Sequence, residues 1–87
     1  MIFKTIEEQW QGYAAMVFRG MKPEPSQVQV DETKQAFFAG AWAILNAFEA
    51  IGEPHVPEDF AVAYMEGRRK EIESFTKRLM AKYVERN

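Results

Sequence analysis

Between Ala36 and Ile51 only Asn46 and Glu49 are plainly polar, and this constrains the chain more than any other feature. A helix that is apolar on nearly every side cannot lie against water like an ordinary surface helix, so neighbours are expected to cover it on several sides. At helical spacing the segment presents three faces. Ala36, Ala39, Gly40, Ala43, Ala47 and Ala50 form a smooth flank that lets another helix come close, and Phe37, Ala41, Ile44, Phe48 and Ile51 form a bulky one suited to a core. Phe38, Trp42 and Leu45 project between the two. Sixteen residues with an internal glutamate are too few and too polar to span a membrane, which takes about 18 to 20 apolar residues.

Punctuation on either side sets the neighbours. Thr5-Ile6-Glu7-Glu8 has the spacing of a capping box, in which a threonine and a glutamate satisfy each other's free backbone donors, so a first helix is expected from Thr5. Ile6, Trp10, Tyr13, Ala14, Val17, Phe18 and Met21 follow at steps of three and four and give it one apolar side. Gly20, Pro23 and Pro25 end it. Gln27-Val28-Gln29-Val30 alternates like a strand but has no second strand to pair with, so it reads as loop or as the first turn of helix two, with Ser26 or Asp31 as cap. Helix two is then expected over about Asp31 to Ile51, stopped by Gly52. Pro57-Glu58-Asp59 opens a third helix, with proline at its first position and acids near the positive end of the dipole. It extends to about Val84 unless Gly67 breaks it.

After Gly67 the pattern thins to a stripe, Ile72, Phe75, Leu79 and Tyr83, with Glu66–Lys70 and Glu73–Lys77 as four-apart ion pairs on the wet side. The fold expected is a single all-α domain over residues 1–87. It is a small bundle of three helices, or four if Gly67 breaks the last, with the apolar helix central and sandwiched by the other two. A chain of 87 residues buries only about 60–65% of the surface its unfolded form exposes, yet 47% of its residues are hydrophobic. Part of that apolar bulk is therefore expected in an interface between chains, with a homodimer as the expected state.

Chemistry is sparse. There is no cysteine, which removes disulfides and thiolate metal sites and suits a reducing compartment. The start of the chain lacks the basic and apolar regions of a secretory signal, so a soluble, cytoplasmic protein is expected. His55, the one histidine, lies between Pro54 and Pro57 near Glu53, Glu58 and Asp59, and these acids are better explained as helix-start residues than as partners in catalysis. Ser26 and Ser74 fit no nucleophile pattern, and no glycine-rich phosphate loop follows a strand. The expectation is no catalytic residue, no metal and no cofactor.

Two binding readings remain. Protein contact is the first, through Gly40, Ala43, Asn46 and Ala47 on helix two and through Ile72, Phe75, Leu79 and Tyr83 on helix three. Nucleic acid is the second. Residues 66–87 carry seven basic and four acidic groups, against four basic and nine acidic in residues 1–65, and Arg68, Arg69, Lys77, Arg78 and Lys82 form a basic patch. Interleaved glutamates dilute that patch, the whole chain carries a net charge of −2, and the segment near Gly52 has too many prolines for a helix-turn-helix.

Trp10, Tyr13 and Glu32, taken with the run Gln35-Ala36-Phe37-Phe38-Ala39-Gly40-Ala41, carry a resemblance. The chain resembles short uncharacterised helical proteins encoded by bacteriophages, in which a tryptophan-bearing first helix, a proline segment and an AF-AGA helix recur. The similarity covers about the first fifty residues and leaves out the C-terminal third. It implies a phage or prophage origin, host-cell cytoplasm as the location and a host or phage protein as partner. It implies no activity and transfers no functional residue.

Overall fold

A computed structural model describes residues 3–86, with side chains for residues 3–82. The fold is all-α, with three helices and no strand among the described residues: α1, Ile6–Phe18; α2, Gln27–Ile51; and α3, Glu58–Arg86. The chain divides into two compact units, Met1–Ala47 and Phe48–Asn87.

In the first unit the expected capping box opens α1. The Thr5 hydroxyl accepts from the Glu8 N–H at 3.0 Å, and the Glu8 carboxylate accepts from the Thr5 N–H at 3.0 Å. These bonds hold the Glu8 carboxyl below its ordinary pKa, the Thr5 N–H contributing most and the Thr5 side chain next. At the other end Arg19 has φ −58° and ψ 125°, Gly20 has φ 68°, and the Met21 N–H donates to the Phe18 carbonyl at 3.2 Å. This is a type II turn, and its third position needs the positive φ that glycine adopts at little cost.

Helix α2 starts four residues earlier than the apolar pattern indicates. Ser26 and Gln29 make a second reciprocal cap: the Ser26 hydroxyl accepts from the Gln29 N–H at 3.1 Å, and the Gln29 side-chain oxygen accepts from the Ser26 N–H at 2.9 Å. The alternating Gln27–Val30 run is therefore helical. One stripe of α2, through Val30, Lys34, Phe37, Ala41 and Ile44, is half-buried. Against it lies Trp10, the one buried side chain among the described residues at 5% exposure. The Trp10 and Tyr13 rings stand 5.7 and 5.4 Å from that of Phe37, and 6.2 Å from each other. Such tilted pairs add about 0.5–1.5 kcal/mol each beyond simple burial. At the rim, Lys34 Nζ meets the Glu7 carboxylate at 2.9 Å, joining residues 27 apart in sequence.

Covering on several sides is not what α2 receives. None of its residues is fully buried, and Trp42 is 65% and Leu45 48% exposed. The physical reason is angular. At about 100° per residue, Phe38, Trp42 and Leu45 lie roughly 80–140° around the helix from the centre of the Val30–Phe37–Ile44 stripe, beyond the width that one packed helix covers.

In the second unit α2 runs out at Gly52, whose N–H donates to the Phe48 carbonyl at 3.1 Å. A side chain at Gly52 would bring its Cβ to 3.3 Å from that oxygen. A turn closes from Val56 N–H to the Glu53 carbonyl, and the Pro57 carbonyl accepts from Ala61 N–H at 3.0 Å, so Pro57 caps α3 and Glu58 is its first residue. Helix α3 then passes through Gly67 without a break. An added Cβ there would meet nothing within 4 Å, and glycine in open helix costs only about 1 kcal/mol relative to alanine.

Candidate functional site

The side chains singled out from the sequence fall on two bare helix surfaces, one in each unit. On α2 the small flank is open. Gly40, Ala43 and Asn46 are exposed, Ala47 is half-buried, and a Cβ at Gly40 would have no neighbour within 4 Å. A methyl group at Gly40 would therefore meet no neighbour among the described residues, so the small flank packs against nothing there. Beside this flank stands the apolar row of Phe38, Trp42 and Leu45. A shallow depression of 330 Å³ borders it, lined by Asp31, Lys34, Gln35 and Phe38, and Lys34 Nζ lies 5.8 Å from the centre of the Phe38 ring.

On α3 the surface changes along the helix. Ala61, Tyr64, Gly67 and Arg68 are half-buried, whereas every side chain from Arg69 to Lys82 is exposed. Ile72 and Phe75 keep 62% and 59% of their surface, and Leu79 is exposed as well. The Tyr83 side chain lies outside the described residues. A 540 Å³ open depression lies alongside, lined by Gly67, Lys70, Glu71, Ser74, Phe75 and Arg78.

The basic patch is partly spoken for. The Arg68 guanidinium sits 4.5 Å from the centre of the Tyr64 ring, and its Nε forms an ion pair with Glu71. That Nε is shielded from water. The Tyr64 side chain foremost, and the Glu71 carboxylate after it, hold the Arg68 pKa above its already high ordinary value. Arg69 pairs with Glu66 at 3.6 Å. These three-apart pairs replace the expected Glu66–Lys70 and Glu73–Lys77 pairs, which do not form. Lys77, Arg78 and Lys82 are exposed.

Elsewhere, His55 is exposed in the turn before α3, and no three metal-ligating side chains converge among the described residues. No helix is long and apolar enough to cross a membrane among the described residues. Trp42, which projects between the two flanks of the helix, stands outside the Trp10–Tyr13–Phe37 cluster. The signal that separates them is the seven-residue step from Phe38 to Leu45 through Trp42, a second stripe lying beside the packed one. Comparison with protein-family models, with curated proteins and with solved structures gives no match in any of the three.

Proposed function

We propose that this chain is a non-enzymatic protein-interaction module. In this reading it is a phage or prophage accessory factor that works in the host cytoplasm, associates with itself as a homodimer and docks on a host or phage protein. One observation carries it: among the described residues Trp10 is the one buried side chain, while the rows Phe38–Trp42–Leu45 and Ile72–Phe75–Leu79 stay open on two helices. Aligned apolar rows of this kind are what helix-in-groove and helix-pair recognition use. The phage context rests on the resemblance of the first half of the sequence.

Tagged wild-type chain and a Trp42→Glu, Phe75→Glu variant should be used to capture proteins from lysate of the native host, and both should be sized by light scattering. A protein held by the wild type and lost by a folded variant is the expected outcome. Equal capture by both would remove the apolar rows from the mechanism. A nucleic-acid-associated role is the second reading, favoured by the exposed Lys77 and Arg78 and disfavoured by the glutamates that engage Arg68 and Arg69. It requires binding that weakens steeply as salt rises, and no band shift at low salt would dispose of it.

A further inference from the structure

We infer that the Phe38–Trp42–Leu45 row of one copy receives the Ile72–Phe75–Leu79 row of a second copy, the two helices running antiparallel. This rests on the interaction reading and gives it a register. Both rows are exposed and each lies on one helix face, but their steps run in opposite order: four then three on α2, three then four on α3. Facing rows interlock when successive steps match. Antiparallel alignment sets Phe38 level with Leu79, Trp42 with Phe75 and Leu45 with Ile72, so four meets four and three meets three. Parallel alignment of the same three layers sets four against three, and a slip of one layer restores the steps only by placing Phe38 opposite Arg68 and Leu79 opposite Glu49.

Charge selects the same arrangement. One further matched step of four brings Glu49 level with Arg68, and at the other end neutral Gln35 comes level with Lys82. Acid thus faces base at one edge of an apolar centre, and no like charges meet level at the other. The parallel alignment sets Lys34 level with Arg68, and pairing α3 with another α3 brings Arg68 and Arg69 to face Lys82; both juxtapose like charges. The overall imbalance agrees, because residues 66–87 have an excess of three basic groups and residues 1–65 an excess of five acidic ones.

The chain has no cysteine, so single thiols can report the contact. Purified Leu45→Cys chain is mixed with Ile72→Cys chain and oxidised. The mixed disulfide should exceed either self-disulfide, and Leu45→Cys mixed with Leu79→Cys, the parallel pairing, should yield much less. Dominant Leu45→Cys self-disulfide assigns the contact to α2 against α2, and dominant Ile72→Cys self-disulfide assigns it to α3 against α3; either overturns the proposal, as does a mixture that stays uncrosslinked. A charge exchange needs no thiol. Glu49→Arg and Arg68→Glu should each weaken association about tenfold or more, and the double variant should recover most of it. If Arg68→Glu alone unfolds the chain, Glu49→Lys with Arg68 retained still reads the edge, and unchanged association there counts against the register. Purified chain alone is used throughout, so a negative result here leaves capture of a different protein intact, and the two readings fail separately.

Discussion

The two units of this chain are held by different kinds of contact. In the first, Trp10, Tyr13 and Phe37 bring two helices together and Lys34 reaches Glu7 across 27 residues. In the second, each side-chain bond, ion pair and ring contact among the described residues joins positions at most four apart, as in Phe60–Tyr64, Arg69–Glu66, Arg68–Glu71 and the Thr76 hydroxyl on the Ile72 carbonyl. Beyond Arg68, where every described side chain is exposed, the helix draws only about 0.2–0.5 kcal/mol from each such pair and is marginal by itself in water. The first unit carries its own tertiary lock, whereas the second leaves that role open to a partner.

The comparison breaks most visibly at the two tryptophans. Trp10→Ala should cost about 3–5 kcal/mol, the usual range for emptying a buried aromatic site, and should lower the denaturant midpoint of the wild-type chain sharply. Trp42→Ala in dilute, dissociated protein should cost less than about 1 kcal/mol, since an exposed side chain leaves little cavity behind. Similar losses for the two would show that Trp42 is packed after all.

Hydrogen exchange sharpens the contrast. Amides of α3 beyond Gly67 should exchange far faster than those around Phe37 at low protein concentration, and should slow as concentration rises if a second copy covers them. Uniform protection at every concentration would erase the distinction between the units. Gly67→Ala should raise α3 stability by about 1 kcal/mol, because the added methyl meets no neighbour and the residue is already helical. A loss of stability there would mean that the site is crowded.

The caps give smaller effects. Thr5→Ala and Ser26→Ala should each cost about 1 kcal/mol, read from the melting of the first unit. Glu8 adds a pH signature. Its carboxyl is held below the ordinary 4.5, so its stabilising share is complete above that value and is lost as pH falls through the lower folded-state pKa. Glu8→Gln should flatten that acid limb slightly, and an unaltered limb would detach the carboxylate from the cap.

Much of the fold was legible because its signals are local. Thr5 with Glu8, Gly20 before the prolines, and Pro57 before two acids each specify a helix end through hydrogen bonds only a few residues apart. Ser26 was one of two caps the sequence offered and is the one used, but the alternating Val28 and Val30 left loop and first turn both open. Gly67 left a break in the last helix open, and α3 runs through it, since a glycine breaks a helix only when the backbone needs its special angles. The candidate surfaces were harder to place. Periodicity shows that α2 has more than one apolar row, but the row that α1 chooses depends on how the Trp10 ring fits against Phe37. Ion pairs four apart looked favourable on spacing alone, whereas stacking on Tyr64 fixes the Arg68 side chain beside Glu71.

Lys34 leans toward Glu7 on one side and toward the Phe38 ring on the other. A single ammonium thus straddles the seam with α1 and the margin of the bare α2 row. Removing its charge, by acetylation for instance, would loosen the clasp between α1 and α2 and turn the edge of that row greasier at the same stroke. The stickiness of the chain and the firmness of its first unit would then shift in opposite directions from one chemical change.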